Sequence, residues 1–454
     1  SSFLPRLMGG RPSREPVPDT SMQEALRRDS HAHTEMTASQ IAAQSMGRFC
    51  SSELLHEGED ALPTAGTVTS LGMFINMLTA GLGTSILAFP WGVAGASVVS
   101  GVFLVVFILV VNMWTIGIVV RAGEEHKAFD LGTLLMKLPG RMGSILQTTS
   151  NGLVWLTLWL TLLSYVITIQ NNMILVMPAG AAQNRVLWAV LTAAVAYPLS
   201  YVPQKYLSFT SSVSVAVIIF LFGVLIQTLA SEGEPQHGVC GFGTGPGVVT
   251  YFSVLMNSVI IQMCVLPMYA ELKDRTPAKF NLIVNSAFGS LIVLFCAFAT
   301  VGYMAFGNDV DSMITDNLKK GALGSVVHVG ISLVILCTFP IFVIPMVAPV
   351  AAFEGKEGIW CHIARAVICA SVMFAAFFIT QFGMILAVNG ALCVGFFIGV
   401  LPGLVGLYLT PGKGAAWRAL MWSLILFALA GSVLGFVFTD NEWKELHCWW
   451  WISK

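Results

Sequence analysis

The sequence predicts an all-α polytopic membrane protein, and three observations carry that prediction. Hydrophobic residues make up 56% of the 454 and charged residues only 10%, whereas a soluble domain carries roughly 25% charged residues. Eleven apolar stretches follow one another after a polar start, each near the roughly 20 residues that a bilayer-crossing helix needs. The first of them, running from Leu71 to Ala96, is interrupted by Gly72, Gly81, Gly83, Pro90, Gly92 and Gly95, and it carries Asn76, Thr79, Thr84 and Ser85 near its middle. Hydrocarbon offers the backbone no hydrogen-bond partner, so a glycine-rich break at that depth persists only when buried in protein or lining a wet cavity. Half-helix ends at such breaks expose N–H and C=O groups, and secondary transporters use them as substrate and ion sites. The competing reading is that the glycines serve close helix packing. Clustered with hydroxyls and a proline, they exceed what packing requires.

Residues 1–66 mix charge, Pro and Ser without a sustained apolar period, which reads as a disordered cytoplasmic N-terminal tail. Residues 67–438 read as an eleven-helix transporter domain and 439–454 as an exoplasmic C-terminal tail. The spans fall at approximately 68–96, 98–121, 144–176, 184–203, 208–230, 248–271, 281–306, 323–351, 360–380, 384–409 and 418–438. Orientation follows from Lys and Arg near the span ends. Twelve, from Arg121 through Arg418, lie in loops on the side of the N-terminus; five (Arg185, Lys319, Lys320, Lys444 and Lys454) lie on the other. The N-terminus is therefore expected inside and, with eleven spans, the C-terminus outside. Cys240 and Cys448 then share the outer side, and the sequence leaves open whether they pair. The Trp449-Trp450-Trp451 run suits an interfacial aromatic anchor.

Eleven spans divide as five plus five plus one, which makes the sixth the counterpart of the first. Span six carries Asn257, Gln262 and Pro267 in an apolar run, and a matched pair of interrupted helices points to a transporter site. Pro267 alone also fits a tolerated kink. In span eight, Thr338 precedes Pro340. Proline frees a carbonyl, although the Thr hydroxyl can equally bond back within its own helix. His328 reads as a surface or packing histidine, and the nine cysteines as small hydrophobes without metal spacing.

The sequence holds no phosphate-binding loop, no paired catalytic carboxylates and no nucleophile elbow, so an enzyme is not expected. Net charge is −1, which gives no hint of a nucleic-acid partner. Apart from Glu271 at the end of span six, Asp and Glu fall in tails and loops. Intramembrane proton relays usually need a carboxylate or His. The deep polar groups here are amides, hydroxyls and backbone, which suit a hard cation such as Na⁺.

Two runs carry a family resemblance. Asn76 through Pro90 (NMLTAGLGTSILAFP) resembles the first helix of the amino acid/auxin permease family. Leu266 through Lys273 (LPMYAELK) is similar to the signature that follows the sixth-helix break in sodium-coupled neutral amino acid transporters. Gly302-Tyr-Met-Ala-Phe-Gly307, Thr338-Phe-Pro340 and Leu401-Pro-Gly-Leu404 add weaker matches in the same order. The resemblance implies a leucine-transporter-type inverted repeat of five plus five helices with an eleventh appended, and a site between spans one, three, six, eight and ten. A substrate carboxylate would meet the amides of Gly81, Leu82, Gly83 and Thr84, and an amino group the carbonyls near Met263 and Cys264. A sodium ion would sit among Asn76, Thr79 and Thr338. Asn at position 76 resembles the sodium-coupled branch, whereas Gly83-Thr84 and Pro90 resemble the proton-coupled one. Ile261-Gln262 stands where sodium-coupled relatives often carry Cys-His, which leaves side-chain selectivity open.

The function expected is therefore symport of small neutral amino acids by alternating access, driven by Na⁺. Proton coupling, and an amino-acid sensor on the same fold, are the alternatives. A plasma or vacuolar/lysosomal membrane is expected, with the amino acid and the lipid bilayer as partners; oligomeric state is not legible.

Overall fold

Breaks decide the architecture. The computed structural model describes residues 66, 68–178, 180, 183–201, 209–232, 238–258, 260–318, 321–354, 358–410, 414–438 and 446–453; the predicted 1–66 tail lies almost wholly outside them. The first span begins as α1, Ser70–Gly81, where the Thr69 hydroxyl caps the helix by accepting from Gly72 N at 3.2 Å. It unwinds at Leu82 and Gly83, makes a 3₁₀ turn over Thr84–Ala88, and resumes as α2, Phe89–Ala96, with Pro90 in the first turn. A proline there lacks an N–H that the helix start would not use. The two halves meet at a 45° bend.

The chain continues through α3 (Val98–Glu125), α4 (Leu131–Met136), α5 (Met142–Val176), α6 (Arg185–Leu199) and α7 (Phe209–Glu232). After a strand β1 (Val239–Thr244) come α8 (Gly247–Ser258) and α9 (Val265–Glu271), the halves of the predicted sixth span. Then follow α10 (Pro277–Phe306), α11 (Ala322–Glu354), α12 (Ile359–Phe378), α13 (Phe382–Asn389), two π-helical turns, α14 (Leu401–Tyr408), α15 (Ala415–Val437) and β2 (His447–Ser453). Among the described residues, eight helices are long and apolar enough to cross a membrane, or nine with the bent first pair. The fourth and sixth predicted spans take shorter forms, in α6 and in the α8–α9 pair.

Packing places the broken segments centrally. The pair α5 and α11 lie along each other, α10 packs on α1, α2 and α3, and α8 packs on α2 and α13. Glycines set the closest approaches. A β-carbon on Gly92 would lie 1.9 Å from Tyr251 Cδ2, and one on Gly390 would lie 1.8 Å from the Ser253 carbonyl oxygen. Gly302 of the predicted seventh-span motif serves the same end, since its β-carbon would lie 2.5 Å from Pro90 Cγ. Tyr303 beside it accepts from Cys240 N and donates to Asn308 Oδ1, both at 2.9 Å. Outward-facing side chains such as Phe103, Val293, Phe374 and Val433 are exposed and apolar, as a lipid-facing belt requires.

The strands were not legible in advance. β1 and β2 pair antiparallel with an irregular register, Cys240 opposite Trp451 and Gly243 opposite Cys448. Cys240 and Cys448 form a disulfide, Cα to Cα 5.8 Å, across 208 residues of sequence. The tryptophan run lies within β2, where Trp449 meets Phe242 edge-on at 5.1 Å.

Candidate functional site

The break in the first span supplies the chemistry. Leu82 N bonds back to Leu78 O at 3.0 Å, and Gly83 O accepts only a long 3.4 Å contact from Ile86 N. Among the described residues, the amides of Gly83 and Thr84 meet no backbone carbonyl. Leu82, Gly83 and Thr84 line one cleft, closed on its other sides by Ser214, Val217 and Ile218 of α7 and by Ile331, Val334 and Ile335 of α11. N–H groups without partners at a half-helix start favour a negative group, and the aliphatic walls favour a small apolar one.

The glycines of the break divide their labour. A β-carbon on Gly81 would lie 2.5 Å from Leu291 Cδ1, so Gly81 admits α10. One on Gly83 would meet nothing within 4 Å. Gly83 adopts an extended backbone with φ −77° that any residue accepts, so its missing side chain leaves open space at the cleft. Of the four residues expected to meet a carboxylate, Gly81 is a packing residue, and Leu82, Gly83 and Thr84 face the cleft.

Ser85, one residue further, starts a buried polar chain that joins four predicted spans. Asn257, near the end of α8, donates to Ser85 Oγ at 3.0 Å. Asn389, at the end of α13, donates to Asn257 Oδ1 at 2.8 Å and to the Thr157 carbonyl of α5 at 3.4 Å. Asn389 Oδ1 and Thr157 Oγ1 have no hydrogen-bond partner. Asn389 and Thr157 escaped sequence reading. The available signal was one amide inside the apolar run of span ten, where such a group is costly unless partnered. Gln262, in the second break, donates to Asn112 Oδ1 of α3. At that break Cys264 N donates to Ile261 O at 2.8 Å, and Cys264 O accepts from Met268 N at 3.0 Å. Met263 and Cys264 are half-buried there and do not line the cleft.

The residues expected to hold a cation are less tightly gathered. Thr79 donates to Ile75 O at 2.9 Å and Thr338 to Val334 O at 2.7 Å, both within their own helices. A hydroxyl that donates this way still offers its lone pairs to a cation. Thr338 lies one turn beyond the cleft-lining Val334, while Asn76 is exposed. His328 is buried, with Nδ1 2.9 Å from Asn172 Oδ1, a packing role as expected.

The two ends of the site are tied differently. On the face that carries Val68, the segment before α1 is stitched to the end of α9: Val68 N donates to Glu271 O at 3.0 Å and Lys273 N to Val68 O at 2.9 Å. Tyr269 donates to Glu124 Oε2 at 3.1 Å, and Arg275 lies over the Phe129 ring at 4.1 Å. The Leu266–Lys273 run thus fixes one broken span against the other. At the opposite end, the 3₁₀ turn Ile314–Asn317 packs on Thr84–Ala88, α5 and α11. Burial there pushes the Asp316 carboxyl up to about 7, with the Asp311 charge adding to it and the Asn171 hydrogen bond and Arg185 opposing. Burial, then Asp309, raises Asp311 as well.

Comparison with known proteins fits this arrangement. The amino acid transporter AVT6E of Arabidopsis thaliana is 22% identical over 403 residues, which cover 80% of this chain and 81% of that one. AVT3C of the same plant is 30% identical over 213 residues, and this chain spans under half of its length, 45%. The sodium-coupled neutral amino acid symporter 2 of Danio rerio is 22% identical over 381 residues, covering 73% and 74%. Among solved structures, the inward-facing conformation of Mhp1 and a manganese transporter of Eremococcus coleocola each superpose with a TM-score of 0.52 at 12% identity, over 84% of this chain and 90% of theirs. That likeness carries the fold, of the leucine-transporter type, and no more. Residues 66–439 match the model of a transporter family. The chain belongs to the transmembrane amino acid transporter protein family, whose members are membrane transporters and not enzymes.

Proposed function

We propose that this protein is a secondary transporter that carries small neutral amino acids by sodium symport with alternating access. The observation that carries the reading is the cleft at Leu82–Thr84, where N–H groups without backbone acceptors meet open space beside Gly83. The substrate carboxylate meets the amides of Gly83 and Thr84, and its side chain lies among Val217, Ile331, Val334 and Ile335. The substrate's amino group meets carbonyls of the second break near Met263 and Cys264, while the polar chain from Ser85 through Asn257 and Asn389 to Thr157 ties the first break to α8, α13 and α5. Opening one end of the pathway while the other is tied turns such a site from one side to the other.

Sodium is supported by the absence of carboxylates from the spans apart from Glu271 and by the sodium-coupled relative. Thr79 and Thr338 supply hydroxyl oxygens, with Asn76 an amide oxygen on an exposed position midway along α1. The N-terminus lies in the cytoplasm and the β1–β2 sheet outside. The test is uptake of labelled alanine or glutamine into proteoliposomes under an inward sodium gradient or an inward proton gradient, each imposed alone. Uptake driven by sodium alone supports the reading. Uptake driven by protons alone moves the coupling to the other branch, and binding without uptake replaces transport by sensing.

A further inference from the structure

The turn Ile314–Asn317 sits over the broken first span, and a side-chain hydrogen bond ties it to α5. Asn171 Nδ2 donates to Asp316 Oδ2 at 3.2 Å. The other oxygen of each group, Asn171 Oδ1 and Asp316 Oδ1, is buried without a hydrogen-bond partner. A carboxylate and an amide in this arrangement hold one hydrogen bond and two idle acceptors. A proton on Asp316 turns one of those acceptors into a donor, and a carboxylic acid facing an amide can form a second hydrogen bond.

We propose that Asp316 and Asn171 form a proton-operated latch over the outer end of the transport pathway. A proton taken from the outer solution binds Asp316 Oδ1, and no other bond breaks. The protonated pair holds the Ile314–Asn317 turn down on the Thr84–Ala88 turn. Loss of the proton leaves a buried carboxylate, which gains by reaching water, and the turn lifts from the site.

The surroundings agree. The groups facing Asp316 are Asp311 on its own loop and Arg185 at the head of α6, of opposite sign. Asp309 acts on Asp311. From α11, His328 bonds to Asn172, the neighbour of Asn171, and the Thr84–Ala88 turn brings no titratable side chain. Lys319 and Lys320 follow in sequence, outside the described residues. Two hydrogen bonds also close the loop on itself: Asp311 N donates to Asn317 Oδ1 at 2.8 Å, and Asn317 Nδ2 donates to Asp309 O at 3.0 Å.

The direction of the pH response follows from linkage. The closed state holds the Asp316 proton up to about pH 7, whereas a solvated Asp releases it near its ordinary 3.8. The latch is fully favoured below about pH 4, weakens as pH rises towards 7, and changes no further above that. The proposal concerns access, and it stands whichever amino acid or coupling ion is carried.

The test is hydrogen–deuterium exchange of the full chain in lipid nanodiscs, read on the peptide covering 310–318 at pH 4.5 to 8.5 and corrected for intrinsic exchange at each pH. Expected is protection that falls as pH rises to about 7 and is flat above, while peptides of α10 hold steady. Asp316→Asn, a permanent stand-in for the protonated acid, should lose the pH response and stay protected. Asn171→Leu, which removes the partner and keeps Asp316, should lose most of the protection at low pH. Protection independent of pH in the native chain, or a transition that survives in Asp316→Asn, overturns the latch. Uptake measured on the same variants separates this outcome from failure of the transport reading.

Discussion

Asn389 donates a hydrogen bond of 2.8 Å to Asn257, so the predicted tenth span holds the end of the first half of the broken sixth. Asn257 in turn donates to Ser85 beside the break in the first. Both amides are buried, Asn389 at 1% exposure. Replacing Asn389 by Leu leaves Asn257 Oδ1 buried without a donor, which costs about 1–3 kcal/mol. A lower thermal midpoint in detergent is expected, along with weaker amino acid binding. Unchanged stability would mean that the chain is not a structural tie.

The cation reading depends on two hydroxyls that donate within their own helices. Thr338→Val keeps the shape and removes the lone pairs, so it should spare folding. The apparent affinity for sodium should fall about tenfold, the order of one hydrogen bond to a charge. Asn76→Ala should weaken the sodium response more than substrate selectivity. If uptake titrates with sodium identically in both variants and the native chain, the coupling ion lies elsewhere.

Gly81 predicts a loss of stability with a different signature. Its β-carbon would lie 2.5 Å from Leu291 Cδ1 and 3.2 Å from Cδ2. Gly81→Ala should cost about 1–3 kcal/mol as an overpacked contact between α1 and α10. The companion Leu291→Ala should recover part of it, as expected for residues in contact. An additive pair of effects would place the cost of Gly81→Ala outside that contact.

The disulfide predicts a local effect. Cys240 and Cys448 join β1 to β2, and the sheet lies at the edge of the helical body, with Ser97 and Ser100 donating to the Gly243 carbonyl at 3.2 and 3.1 Å. Cys448→Ser should free β2 to proteolysis and leave the helical content unchanged. Loss of helical signal on reduction would make the sheet a support of the whole fold.

Much of this was legible in the sequence because a bilayer restricts what the backbone can do. Apolar length marked the helices, and the glycine cluster marked the break at Leu82–Gly83, where the structure unwinds. The functions of individual glycines were not legible: Gly81 and Gly83 look alike in sequence, and only the position of Leu291 separates them. Asn389 was missed because a lone amide in an apolar run gives no hint of its partner. The β1–β2 sheet was missed because its strands are 208 residues apart at the disulfide and neither alternates strongly. Sequence placed Asp316 only in a loop, whereas packing on α5 and on the broken span half-buries it.

In the proposed function the open space beside Gly83 is where the substrate's carboxylate approaches the backbone. The most direct measurement is binding and uptake of labelled alanine by Gly83→Leu, alongside its thermal midpoint. Position 83 has an ordinary backbone conformation and no neighbour within 4 Å of an added β-carbon. The variant should therefore fold with a midpoint close to native and lose both binding and uptake. A variant that folds, binds and transports as the native chain does would contradict the account.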